Sequence, residues 1–293
     1  MNIALVTYLD QGKYDSDTVE SEDDRLLDFL QAKGLNIQKV IWNDPNTNWE
    51  NYQLAILKSP WDYFDLIEQF HQWLSLLEDK KVKLLNPIDV VRWNTHKHYL
   101  KEIQQAGLKI TPSIFLEKDE NVDFNVFFEN FETKKLIVKP CVSGGAKNTF
   151  KVTPTNAKEI KEKLAELIKM EDFIIQPFLP EILESGEWSF VFFNGFYSHA
   201  LIKQAKTGDF RVQPAHGGSV HPQKPDQKLI ETAARYVRQF AKNCLYARVD
   251  GVFVNGDFLL MELELIEPFL FLNTDQQNYE RYYKALTELI EDL

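Results

Sequence analysis

The stretch that most constrains this chain is R-V-D-G-V-F-V-N-G-D-F-L-L-M-E-L-E, residues 248–264. Asn255-Gly256 stands between two runs rich in Val, Phe and Leu, a strong sign of a β-hairpin. Residues two apart in a strand share a face. Arg248 therefore shares a face with Asp250, and Glu262 with Glu264. The opposite face of the second strand, Leu259, Met261, Leu263 and Leu265, reads as core. Loop length decides whether the acids meet. A two-residue loop pairs Val254 with Asp257 and turns Asp250 away from both glutamates. A three-residue loop, Val254-Asn255-Gly256, with Gly256 left-handed and a bulge, gathers Asp250, Glu262 and Glu264 beside Arg248. The bulged loop is expected. Three carboxylates on one face repel one another unless a cation lies between them. Hard oxygen ligands on a preformed hairpin suit magnesium shared with substrate phosphates. The plain alternative is a solvated acidic face.

The chain has 293 residues, 44% of them hydrophobic, enough for a sizeable core in one large or two to three small domains. A net charge of −11 disfavours nucleic acid and anionic membranes as partners. Cys141 and Cys244 show neither metal spacing nor a disulfide framework. The start, M-N-I-A-L-V-T-Y, lacks a basic segment, and no apolar run approaches about 18 residues. A soluble, cytoplasmic protein is expected, with homo-oligomerisation left open. Strand–helix alternation over residues 1–90 implies an open parallel α/β sheet. Ligands of such sheets sit at the carboxyl ends of strands. Ser59-Pro60-Trp61-Asp62-Tyr63 lies at one such end and reads as a packed turn, with Trp61 and Tyr63 in the core, in preference to the alternative of substrate contact. No G-x-G-x-x-G follows the first strand and no G-x-x-x-x-G-K-[ST] occurs, which disfavours dinucleotide-binding Rossmann and P-loop enzymes.

Further along, a helix over 94–105, with Thr95 as candidate N-cap, carries Lys97. A strand over 136–140 places Lys139 in L-I-V-K-P, where lost hydration calls for an anionic partner. Ser143-Gly144-Gly145 follows; adjacent glycines let backbone N–H groups approach phosphate oxygens, though a plain turn also accommodates them. A strand over 173–178 carries Gln176 and Phe178. Glu187 opens a hairpin turned by Asn194-Gly195 and ending at Lys203, which is expected to be solvated. Arg211, in G-D-F-R ahead of Gly217-Gly218, is a planar donor suited to clamping carboxylate or phosphate, or else a structural ion-pair partner. His216 reads as a loop histidine. Helices are expected over 226–244 and 276–293.

In this order the segments resemble the ATP-grasp ligases. R248-V-D250, a hairpin and E262-L-E264 resemble the family's R-x-D and E-x-N metal signature, with Glu264 in place of Asn and Glu267-Pro268 in place of Pro-Gly. Asn86-Pro87, Asn94-x-x-Lys97, Gly107 and Thr111-Pro112 resemble the family's entry; Lys139 and Ser143-Gly144-Gly145 resemble its second lysine and glycine-rich lid. G-D-F-R-V-Q with the later Gly-Gly is similar to the glutathione synthetase and ribosomal-protein S6 glutamate ligase branch. The ending E-L-E-L-I-E-P resembles the branch containing a D-cycloserine-forming cyclo-ligase.

The resemblance runs from residue 86 to residue 272 and implies a mixed α/β and α+β architecture. Residues 1–90 would be an N-terminal open parallel α/β (pre-ATP-grasp) domain. Residues 91–178 would hold the entry helix and a small α+β lid at about 115–175, and 179–293 a C-terminal antiparallel-sheet α+β catalytic subdomain. It implies ATP and magnesium as cofactors. Lys97 and Lys139 would neutralise phosphate, under a lid formed by Ser143, Gly144 and Gly145. The linker at Gln176 and Phe178 would meet adenine, Glu181 (or Glu184) the ribose, and Glu187 would lie beside the nucleotide. Asp250, Glu262 and Glu264 would hold metal, Arg248 and Arg211 would act on the transferring group, and Arg211, Gly217 and Gly218 would face the acceptor. The implied reaction is ligation of a carboxylate to an amine (or thiol) through an acylphosphate, on an amino acid or peptide-like small molecule. A second reading is an ATP-binding module without turnover, serving regulation or assembly. Retention of both lysines, both arginines and all three acids favours the enzyme. A third, an unrelated metal-dependent α/β hydrolase, would show no thermal shift with ATP.

Overall fold

The computed structural model describes residues 1–9, 17–209, 211–212 and 217–291, with only the backbone of 17–21. Three sheets organise it. β1 (Ile3–Thr7), α1 (Asp17–Ala32), β2 (Ile37–Ile41), β3 (Leu54–Ser59), α2 (Ile67–Asp79) and β4 (Lys83–Leu85) come first. Their strands pair in parallel in the order β2-β1-β3-β4. The two central strands, IALVT and LAILKS, are buried throughout. Continuous apolar runs of this kind suit a parallel sheet covered on both faces.

Lys58 interrupts that pattern in β3. It is 1% exposed and lies 3.0 Å from both Glu22 and Asp23 of α1. Burial works against its charge, but the two carboxylates outweigh it and raise the pKa. Glu22 also accepts the N–H groups of Leu270 (3.0 Å) and Leu272 (2.8 Å). One buried ion cluster thus joins the parallel sheet to the segment after the acidic hairpin.

The helix expected over 94–105 is instead two, α3 (Ile88–Asn94) and α4 (Tyr99–Gln105), and Lys97 sits in the turn between them. Thr95 ends α3 rather than starting a helix. The Lys97 N–H goes to the Cys141 carbonyl (2.9 Å) instead of continuing a helical ladder. The second sheet follows: β5 (Ile114–Leu116), α5 (Phe124–Asn130), β6 (Leu136–Pro140), β7 (Phe150–Val152), α6 (Ala157–Leu167) and β8 (Phe173–Pro177), antiparallel in the order β5-β8-β6-β7. Ile160 and Leu164 of α6 close its own small core with Phe124, Val138 and Phe173.

The last part holds α7 (Glu181–Glu184), β9 (Glu187–Phe193), β10 (Phe196–Gln204), β11 (Ser219–Gln223), α8 (Gln227–Phe240), β12 (Tyr246–Val254), β13 (Asp257–Glu264) and α9 (Gln276–Glu291). Its five strands are antiparallel in the order β11-β10-β9-β12-β13. Asp226 caps α8 through the Leu229 N–H at 2.9 Å. Tyr279, Tyr282 and Leu286 of α9 share a core with Leu26 and Leu30 of α1 and with Leu5, so this sheet and the parallel one are packed as one body. No helix among the described residues is long and apolar enough to cross a membrane.

Because removing Lys58 leaves two carboxylates buried without their cation, Lys58→Ala should destabilise the protein by about 3–5 kcal/mol. Thermal or urea unfolding would measure this; an unchanged midpoint would contradict the cluster's place in the fold.

Candidate active site

The acidic hairpin forms, but not with the expected loop. Asn255 (φ 51°) and Gly256 (φ 85°) make a two-residue turn, and Val254 pairs with Asp257. On that register the acids would separate. They meet because a β-bulge lies farther down: Gly251 pairs with Leu260 and Asp250 with Glu262, leaving Met261 as the extra residue. Gly251 makes room for it. A Cβ there would fall 2.4 Å from the Leu259 carbonyl oxygen and 2.5 Å from the Phe258 ring. The bulge also corrects the core face. Phe258 and Leu260 are in the core before it and Leu263 and Leu265 after it, whereas Met261 lines the cavity.

β13 is a sheet edge, and side chains from the entry segment occupy its free backbone groups. Asn94 donates to the Leu263 carbonyl (2.8 Å) and accepts the Leu265 N–H (3.1 Å). The Tyr99 hydroxyl accepts the Leu263 N–H (3.1 Å), and Asn86 donates to the Leu265 carbonyl (2.9 Å). With Leu263 and Leu265 pinned, Glu262 and Glu264 turn toward a cavity of about 470 Å³ lined by residues of the two antiparallel sheets and by the turn that follows β3.

Four cations meet the acids. Glu262 lies 2.8 Å from Lys139 and 3.7 Å from Lys97; burial would raise its pKa, but the lysines prevail and hold it at about 2. Asp250 accepts from Ser189 (2.7 Å), Lys203 (2.9 Å) and Arg248 (2.7–3.1 Å). Burial opposes its charge too, yet Arg248 and Lys203 keep it below the usual carboxylate range. Arg248 also donates to the Phe269 carbonyl (2.9 Å) and pairs with Glu264. Burial lifts Glu264 to about 8 against that arginine, with Asp250 and Glu262 adding to the rise. Lys203, expected in solvent, is 4% exposed and bridges Asp250 and Glu187, the latter at 2.5 Å. Glu187 is its cross-strand partner on β9, a pairing that an irregularity between Tyr197 and His199 hides from simple counting.

The other expected residues divide. Ser143, Gly144 and Gly145 line the cavity, and Lys97 donates to the Ser143 carbonyl at 3.0 Å. Gly144 lies against Phe64, where a Cβ would be 2.5 Å from the ring. Lys147 pairs with Asp65, which ties this loop to the parallel-sheet side. Gln176 (donating to Ser113 at 2.9 Å) and Phe178 line the cavity as well. Glu181 does not line it, although its Oε2 is buried without a hydrogen-bond partner among the described residues; Glu184 is exposed. Arg211 lines the cavity while paired with Asp209 at 2.7 Å. Gly217 and Gly218 are not in the lining; they abut Lys206 and Val212. Phe210 and residues 213–216, with Gln213 and His216, lie outside the described residues.

Two further features shape the cavity. The turn at Trp61 and Tyr63 packs as expected, but it also walls the cavity. Glu267, held next to it by a bond from the Trp61 indole N–H to its carbonyl (3.1 Å), lines the same wall. Among the described residues its carboxylate has no ion pair and no hydrogen bond to another residue, and burial lifts it to about 7.

Comparison with known proteins fits this geometry. The profile of the family described as prokaryotic glutathione synthetase, ATP-grasp domain, matches residues 104–278, more than half of the chain. The chain belongs to the ATP-grasp family. Residues 3–86 match a second profile, the N-terminal domain of D-cycloserine synthetase DcsG. The cycloserine biosynthesis protein DcsG of Streptomyces lavendulae is 24% identical over 287 residues, covering 91% of this chain and 93% of that protein. The crystal structure of D-cycloserine synthetase DcsG superposes with a TM-score of 0.84 at 23% identity, over 98% of this chain and 99% of that one. D-alanine–D-alanine ligase from Bacillus anthracis, complexed with ATP, gives 0.73 at 15% identity over the full length of both chains. This ATP-grasp protein is an ATP-dependent ligase of the carboxylate–amine class.

Gly251→Ala should displace the bulge, turn Asp250 away from Glu262 and lower turnover by more than about tenfold while the fold is retained. A variant with wild-type kcat would show that the bulge does not set the site.

Proposed function

We propose that the chain activates the carboxylate of an amino acid-like small molecule as an acylphosphate and transfers it to an amine, with ATP and magnesium bound in the cavity. One observation carries this reading. Lys97 and Lys139, from separate segments, converge on Glu262, beside Glu264 and Asp250. Acids and lysines are then close enough for a phosphate chain and its metal to enter between them.

The two lysines neutralise phosphate, and the 143–145 loop covers it. Gln176 and Phe178 border the adenine. Glu187 acts beside the nucleotide through Lys203. Asp250, Glu262 and Glu264 form a hard-oxygen set that fits magnesium, which when bound screens phosphate charge. The substrate carboxylate attacks the γ-phosphate, and the amine then displaces phosphate from the acylphosphate. Arg248 is preorganised for the transferring group, since Asp250 and the Phe269 carbonyl fix its guanidinium before substrate arrives. Arg211 reaches the same cavity from its loop. The Lys147–Asp65 pair holds the loop closed and keeps water from the acylphosphate.

Glu267 supports an amine-bearing substrate. It is a cavity carboxylate with no direct ion pair among the described residues, next to the aromatic wall of Trp61 and Tyr63. An ammonium group satisfies both carboxylate and ring faces. The names of the relatives, D-cycloserine synthetase and D-alanine–D-alanine ligase, agree with substrates of this size. A cytoplasmic setting, where ATP is available, follows from the same reading.

ADP release should depend on an amino acid present in a mixed panel; ATP binding without any ADP would leave only the binding-module reading. Arg248→Lys, which keeps the charge but loses the fork, should lower kcat about 100-fold or more with little change in ATP affinity. Equal loss of both would remove the arginine from its assigned role. Glu267→Gln should raise KM for the amine substrate by about tenfold and leave KM for ATP unchanged; the reverse pattern would place Glu267 at the nucleotide.

A further inference from the structure

A second cluster of ligating side chains lies outside the cavity, and the reaction above uses none of it. His96 and His98 flank Lys97 in the turn between α3 and α4, their rings 4.3 Å apart. Cys141, just beyond β6, is fully buried. One donor atom from each of His96, His98 and Cys141 lies within 4.8 Å of the others, and the same holds for His98, Glu117 and Asp172. Asp172 is 3.3 Å from His96 Nε2, and Glu117 is 3.6 Å from His98 Nε2. The His98 Nε2 is buried and makes no hydrogen bond among the described residues. Buried polar atoms without partners are uncommon and call for an explanation.

The donor chemistry is specific. Two imidazoles, a thiol and a carboxylate suit zinc or cobalt and not magnesium, which prefers oxygen alone. The histidine side chains are each 31% exposed, so an ion can enter from solvent above the buried sulfur. The His98 N–H reaches His96 Nδ1 at 3.3 Å, a long contact that yields if the ring turns toward an ion.

We propose that His96, His98 and Cys141 form a zinc-type site, with Asp172 beside His96, separate from the magnesium site, that locks the turn carrying Lys97 to the strand carrying Lys139. Cys141 is two residues beyond Lys139. Its carbonyl accepts the Lys97 N–H (2.9 Å), and its N–H donates to the Asp172 carbonyl (2.8 Å). An ion ligated here fixes the backbone at both nucleotide lysines and at the root of the β5-β8-β6-β7 sheet. Binding forms a metal–sulfur bond and releases the Cys141 proton to solvent. On the proposed reaction, a rigid root resists movement of the 143–145 loop, so metal uptake slows turnover.

The test uses the full-length protein, stripped of metal and titrated with Co²⁺ in the presence of excess Mg²⁺. Wild type should bind one Co²⁺ and develop the near-ultraviolet charge-transfer absorption of a cobalt thiolate. Cys141→Ser should lose that absorption. His98→Asn, a change in a partly exposed turn, should weaken binding by about tenfold or more, since even outer partners of a metal ligand are worth that much. Co²⁺ bound without a thiolate band, an identical spectrum from Cys141→Ser, or displacement of the ion by Mg²⁺ would each overturn the site. Zn²⁺ that leaves turnover unaltered at saturating thiolate signal would overturn its regulatory effect.

Discussion

Three carboxylates on one face of a buried hairpin are the constraint on which this structure depends. In a poorly solvated site like charges at short range cannot all persist without compensation. Here the compensation comes from four cations on four different segments: Lys97 from the α3–α4 turn, Lys139 from β6, Lys203 from β10 and Arg248 from β12 itself. Its distribution is uneven. Glu262 has two lysines and Asp250 a lysine and an arginine, while Glu264 shares one arginine and is accordingly the acid most easily protonated. On the proposed reading a nucleotide with its metal carries both signs of charge. It can therefore take over the lysines and the acids together, leaving neither set unpaired.

The arginine at the centre is fixed from a distance. Its Nη1 bonds to Phe269, and the segment that follows is held by Glu22, which Lys58 in turn neutralises. The guanidinium also lies 5.7 Å from the Phe271 ring, where φ is 54°. The parallel sheet thus does more than cover one side of the cavity. It supplies the buried acid that shapes the loop behind Arg248, and through Trp61 and Tyr63 it supplies part of the wall. An enzyme that must exclude water from an acylphosphate benefits from such a closed frame, because each wall is set by a different layer of the fold.

The edge strand shows how polar side chains do the work a neighbouring strand would do elsewhere. Asn86, Asn94 and Tyr99 satisfy the free groups of Leu263 and Leu265. That covers the edge at Leu263 and Leu265, and it fixes which way the two glutamates point. The same demand breaks the entry helix in two: Asn94 is committed to β13, and the Lys97 N–H is committed to Cys141, so the turn between them cannot stay helical.

How much of this was legible in the residues follows from how local each signal is. Alternation and turn residues located β6, β9, β10 and the acidic hairpin, because a strand's face and an Asn-Gly turn are written in a few consecutive positions. The same patterns, with the chain order of Lys97, Lys139, Arg248, Asp250, Glu262 and Glu264, brought the family and its site into view. Register was not local. The two-residue turn and the bulge at Met261 give the same meeting of acids as the expected loop by another route, and the decisive residue is Gly251, whose missing Cβ matters only once Phe258 and Leu259 lie across from it. Lys203 and Lys58 read as ordinary lysines until distant carboxylates are packed beside them. Glu267 likewise gains meaning only from the aromatic wall contributed by residues 61–63. The sequence by itself determined most of the strands and the presence of an acidic hairpin, because alternation and turn residues are local signals. Tertiary structure alone decided which opposite charges meet and which cavity carboxylate has no ion pair among the described residues, because burial and pairing depend on segments far apart in the chain.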